Sequence, residues 1–136
     1  KNPLKRSKKR QPPYEEAISR LRWLKQQQLW EKGRDKDYYT ALTDILREYI
    51  DRRFSINAVE MTSSEIMEAL KHNSETRLVN ENLNEILRIA DFVKFANQRP
   101  LADDNELSFR YAMNFIDATK PLPQPESKPK EKEDKK

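Results

Sequence analysis

The sequence predicts an all-α protein, a compact bundle of about five helices with one short extended connector near residues 54–61. Three observations carry this. Apolar residues recur at three- and four-residue spacing almost throughout residues 14–119, the period of one helix face. The interruptions coincide with stop and start chemistry: the only glycine, Gly33, a proline at Pro100, and acidic or hydroxyl residues just ahead of new apolar stripes. Finally, 35% hydrophobic and 37% charged residues in a chain of 136 fit one globular core with flexible ends.

The first helix is expected from Tyr14 to about Lys32, with Ala17, Ile18, Leu21, Leu24 and Gln28 on its inner side and Gly33 as its C-terminal cap. The second begins with Asp35 and Asp37 at its positive dipole end. It carries Tyr38, Leu42, Ile45 and Tyr49 beside Tyr39, Leu46 and Ile50, a double stripe that implies burial around much of its circumference. Arg47, Arg52 and Arg53 gather toward its C-terminal half, where cations are favoured. "FSINAVEM" is too short and too β-branched for a helix and reads as an extended connector, with Phe54, Ile56, Val59 and Met61 closing the core edge. Thr62 opens "TSSE", a capping box with Glu65, and starts a short helix carrying Ile66, Ala69 and Leu70. "HNSET" ends it. The fourth and longest helix aligns Val79, Leu83, Ile86, Ala90 and Val93, with Leu87 alongside and Phe92 and Phe95 near its end, before "NQRP" stops it at Pro100. "DDNE" starts the fifth, whose stripe is Phe109, Ala112, Met113 and Ile116, flanked by Leu107 and Tyr111.

Absence narrows function. With no Cys and a single Gly, a disulfide framework, a thiolate metal site, a cysteine nucleophile and a glycine-rich phosphate loop are excluded. His72, the lone histidine, reads as a solvated side chain near a helix end. The Asp35/Asp37 and Asp103/Asp104 pairs lie at helix starts and read as caps. No nucleophile stands beside a base at a recognisable spacing, so neither an enzyme nor a cofactor is expected.

The charge is divided unevenly. Residues 1–10 hold Lys1, Lys5, Arg6, Lys8, Lys9 and Arg10, or +6; residues 121–136 add +1, and the stretch between them is −3. Residues 1–13 read as a basic juxtamembrane linker ending in the semi-rigid Pro12-Pro13, residues 14–119 as the helical domain, and residues 120–136 as a disordered Pro/Lys/Glu-rich tail. No apolar run approaches the roughly 20 residues that cross a bilayer, so the residues given are expected to be soluble. The start at Lys1 rather than methionine leads us to expect a segment of a longer product. Cytoplasmic flanks of membrane helices accumulate Lys and Arg, and anionic headgroups attract such residues. The arm therefore suggests an anionic membrane surface as one partner and a lost upstream anchor.

The alternative is a small nucleic-acid-binding regulator whose basic N-terminal arm grips phosphate. Its best version makes residues 41–53 and 63–72 a helix-turn-helix. The link of about nine residues exceeds the three or four that the motif uses. The would-be recognition helix offers Glu65 and Glu68 against Lys71, and the body is net acidic.

Trp23 and Trp30 lie two helical turns apart and, with Tyr38 and Tyr39, either form an aromatic docking surface for a protein partner or pack the first helix on the second. Arg52 and Arg53 either bind a partner carboxylate or complement the helix dipole.

The stretch "LWEKGRDKDYYTALTDILREYIDRRFSINAVEMTSSEIMEAL" resembles the cytoplasmic region of a family of bacterial membrane proteins typical of Bacteroides relatives. Their genes lie among those for a MoxR-type AAA+ ATPase and von Willebrand factor A proteins, the aerotolerance or Bat operon. The likeness runs over residues 21–100 or so. It rests on Tyr38, Tyr39, Thr40, Leu42, Thr43, Ile45, Leu46, Arg47, Tyr49, Arg53 and Phe54, followed by Ala58, Glu60, Met61, Thr62, Glu65, Ile66 and Leu70. The likeness carries no catalytic motif; it implies a transmembrane helix just before Lys1 and a role in an assembly with that ATPase and the von Willebrand proteins, in envelope maturation or stress tolerance.

Overall fold

The computed structural model describes residues 10–122, which form five α-helices and no strand. They are α1 (Pro13–Gln27), α2 (Asp35–Phe54), α3 (Ser63–Leu70), α4 (Asn80–Phe95) and α5 (Ala102–Thr119). Residues 1–9, including Lys1, Lys5, Arg6, Lys8 and Lys9, and residues 123–136 of the expected tail lie outside the described residues.

α1 starts at Pro13, so the second proline belongs to the helix and not to a spacer. Proline suits that first position because the amide it lacks would have no partner there; the Pro12 carbonyl accepts from the Glu16 amide at 2.9 Å. The helix ends five residues before the Lys32 expected from the sequence. Gln28 turns left-handed, at φ +53°, and Leu29 and Trp30 fold back toward α5. Gly33 does adopt φ +82°, but it closes the following turn, with Arg34 N donating to Leu29 O at 2.8 Å.

α2 is the central helix and packs against α1, α4 and α5. Tyr38, Tyr39, Leu42, Thr43, Ile45, Leu46, Tyr49 and Ile50 are all buried, as the double stripe required. The expected extended connector is instead a 3-10 turn at Ala58–Glu60, reached through a left-handed Ser55. Phe54, Ile56 and Met61 pack against the core edge as expected, but Val59 is 53% exposed and Ala58 is buried in its place: in a tight turn the small side chain fits under the backbone and the branched one is turned out.

α3 carries the expected capping box. Glu65 N donates to Thr62 Oγ1 at 3.1 Å and Thr62 N to Glu65 Oε1 at 2.9 Å. Ile66 and Leu70 enter the core, while Ala69 stays exposed. Asn73 Oδ1 then accepts from the Glu75 and Thr76 amides and reverses the chain into a 3-10 turn, Arg77–Val79, ahead of α4. α4 ends at Phe95, five residues short of the proline, because Asn97 turns left-handed at φ +60°. Phe92 and Phe95 point outward, 45% and 79% exposed.

α5 starts with Leu101 N donating to Asp104 Oδ2 at 3.3 Å, while the Asp103 carboxylate, expected as its partner in the cap, makes no side-chain hydrogen bond among the described residues. Its buried line is Asn105, Ser108, Ala112, Phe115, Ile116 and Thr119. The expected stripe is rotated: Phe109 and Met113 are only partly covered, and three polar residues lie on the inner face.

Candidate protein-interaction surface

Those three polar residues meet α2's tyrosines. Tyr39 OH donates to Asn105 Oδ1 at 2.7 Å and lies 3.2 Å from Ser108 Oγ; Tyr38 OH donates to the Asn105 carbonyl at 3.2 Å. At the other end of the same interface Tyr49 OH sits 2.8 Å from Thr119 Oγ1 and 3.3 Å from the Ile116 carbonyl. Each ring is buried and each hydroxyl satisfied, the condition under which a buried polar group does not destabilise. Burial pushes the Tyr39 hydroxyl up to about 12, the Ser108 contact opposing it, and also raises Tyr38 and Tyr49. Tyr38 and Tyr39 therefore belong to the core, 2% and 0% exposed.

The two arginines are likewise spent inside the domain. Arg53 Nε donates to the Thr119 carbonyl at 2.8 Å, its Nη2 reaches Glu75 at 3.0 Å, and its guanidinium lies over Phe54. Arg52 pairs with Glu16 and donates to the Gln11 carbonyl at 3.0 Å. Arg10 joins them, bonded to Glu16 at 2.7 Å and Glu48 at 2.8 Å, with Arg20 also on Glu48. Burial raises the Glu48 carboxyl, but the bonds from Arg10 and Arg20 outweigh it and leave it below the usual range. Arg10 thus roots the arm in the helices and is not a free membrane-facing charge.

Asp35 was expected as a cap and is something else. It is 5% exposed, accepting from Arg99 Nε at 3.0 Å and from Asn105 Nδ2 at 3.4 Å, so it ties the α4–α5 link and α5 to the start of α2. Asp37 pairs with Arg34, and His72 is exposed just beyond α3. Among the described residues no three His, Cys, Asp or Glu side chains are placed to hold a metal ion, and no helix is long and apolar enough to cross a membrane.

Trp23 and Trp30 separate. Trp23, 54% exposed, stands about 160° around α1 from Lys25, since each residue advances the helix by roughly 100°. Trp30 lies beyond the helix end and lines a groove between α1 and α5. The groove consists of two adjoining recesses. One, of about 270 Å³, is lined by Leu24, Leu29, Trp30, Tyr38 and Phe109, with Glu31 and Glu106 at its rim. The other, about 490 Å³, is lined by Tyr14, Ile18, Met113 and Phe109, with Arg22 and Asp117 at its rim. Lys25 and Arg110 border both. Lys25 Nζ lies 5.6 Å from the centre of the Phe109 ring and divides them.

Sequence reasoning missed this groove because Phe109 and Met113 carry the apolar signature of core residues. The usable signal was polar: with Asn105, Ser108 and Thr119 counted, the inward line at 105, 108, 112, 115, 116 and 119 is unbroken, and it turns Phe109 and Met113 to the side.

Compared with protein-family models, with curated proteins and with solved structures, the chain matches none.

Proposed function

We propose that this chain is a protein–protein interaction domain, an adaptor or assembly module held at the cytoplasmic face of a membrane, which receives its partner in the α1–α5 groove. The groove is the observation that carries this reading. It leaves Leu29, Trp30, Phe109 and Met113 only partly covered on a domain whose α2 tyrosines and clustered arginines are consumed in holding the fold. Partly covered aromatic and methionine side chains in a concave site are what protein interfaces favour. The domain works through helix faces and not through catalysis.

The resemblance of "YYTALTDILREYIDRRF" and the segment after it to the Bat-associated membrane proteins supports a MoxR-type AAA+ ATPase and von Willebrand A proteins as partners. The basic arm supports the membrane location: Lys1, Lys5, Arg6, Lys8 and Lys9 each contribute about 1 kcal/mol of attraction near an anionic surface.

The test is calorimetric titration of the full chain with a MoxR-type ATPase and with a von Willebrand A domain of the Bat type. Binding is expected, and Trp30→Ala weakens it about tenfold or more with the thermal midpoint little changed, whereas the outward Trp23→Ala leaves it intact. Absence of binding to either protein, or a salt-sensitive shift of duplex DNA in its place, overturns the proposal.

A further inference from the structure

We infer that the α1–α5 groove takes an amphipathic helix whose apolar stripe is flanked by Asp or Glu; this rests on the protein-interaction reading above. The first support is shape. From Glu106 to Asp117, α5 offers a wall of about 16 Å, the length of about three helical turns. The opposite wall is α1 from Tyr14 to Lys25, continued by Leu29 and Trp30. Two antiparallel helices, with Tyr14 meeting Asp117 at one end and Lys25 over Phe109 toward the other, and a partly covered apolar floor suit a third helix laid between them.

Charge decides the occupant. Lys25 and Arg110 stand where the two recesses meet and Arg22 borders the second, and among the described residues none of the three makes an ion pair, in contrast to Arg10, Arg20, Arg52 and Arg53. The acids stand at the ends. Glu31 and Glu106 lie beside Trp30, and Asp117 at the far end is already engaged by Lys120 at 3.3 Å. The complementary helix is acidic at its centre. Lys25 adds a coupling: its ammonium rests over Phe109, so the carboxylate that draws it away also uncovers the ring for the partner's apolar stripe.

The chain's own C-terminal segment does not fit. It leaves α5 beside Tyr14, with Lys120 Nζ 4.9 Å from that ring, and so starts near the groove. Residues 123–136 contain no aliphatic or aromatic side chain able to fill the floor, and their lysines outnumber their acids.

The test uses the full chain and three labelled 15-residue helical peptides with one Leu/Ile stripe and flanks of Glu, Gln or Lys, followed by fluorescence anisotropy. The Glu peptide is expected to bind about tenfold or more tighter than the Lys peptide, with the advantage shrinking as salt rises. Lys25→Glu combined with Arg110→Glu inverts the preference. Arg22→Gln, which removes one charge without reversing it, halves it or more. All three positions border solvent, so helical content is expected to persist; circular dichroism checks each variant. Equal binding of all peptides, binding of none, a preference unmoved by charge reversal, or a dimer that seals the groove overturns the inference. If the ATPase or von Willebrand domain binds while no peptide does, only the groove chemistry fails. If the Glu peptide binds while neither protein does, the groove chemistry stands and the named partners fall.

Discussion

Asn105 links α5 to α2 through both its side chain and its backbone. Its Oδ1 accepts the Tyr39 hydroxyl, its Nδ2 donates to the buried Asp35, and its carbonyl accepts Tyr38. Asn105→Ala leaves the Tyr39 hydroxyl and the Asp35 carboxylate short of a partner. The expected loss is about 1–3 kcal/mol of unfolding free energy, read from urea denaturation. Tyr49→Phe should cost less, about 1 kcal/mol, because Thr119 Oγ1 also donates to the Phe115 carbonyl at 2.8 Å and keeps that bond. An Asn105→Ala protein as stable as the parent would show that the α2–α5 contact does not depend on these bonds.

At the scale of elements, stop signals matter as much as stripes. Gly33 has nothing within 4 Å of where a Cβ would sit, so Gly33→Ala tests backbone conformation alone at φ +82°. It should destabilise by about 1 kcal/mol, as should removing the α3 cap with Thr62→Ala; a shift in thermal midpoint checks both. Helix number, order and the Thr62–Glu65 box were legible in the sequence because period and capping are local properties. So was the stop of α4 within "NQRP", where Asn97, a residue type that visits the left-handed region, turns at φ +60°. The end of α1 was not: Gln28 adopts a left-handed angle for which its residue type gives weak notice, and Leu29 and Trp30 leave helical register to meet α5, a contact distant in sequence. The rotation of α5 escaped for a related reason: Asn105, Ser108 and Thr119 look outward-facing until Tyr39 and Tyr49 are set opposite them. The groove was hidden with it, since Phe109 counted as core could not also count as surface.

For the whole molecule, the buried tyrosines set an alkaline limit. Unfolded tyrosine ionises near pH 10, whereas folded Tyr39 keeps its proton to about 12 and Tyr38 and Tyr49 are also raised. The unfolded chain thus releases these protons first, so their contribution is complete below about pH 10 and is lost as pH rises through 12. Helical signal at 222 nm and tyrosinate absorbance at 295 nm should change together in that interval. Early ionisation of all five tyrosines with the helices intact would contradict the burial of the α2 rings.

Arg52 holds the Gln11 carbonyl and its neighbour Arg53 the Thr119 carbonyl, so the two ways into the domain lie at the same end of the bundle, beside the C-terminus of α2. Such a body can be spliced into another polypeptide as a closed cassette, adding bulk at one point without lengthening its host. It should equally survive being rewired: joining residues 10 and 120 by a brief glycine bridge and cutting at Asn97 ought to give a permuted chain that still folds.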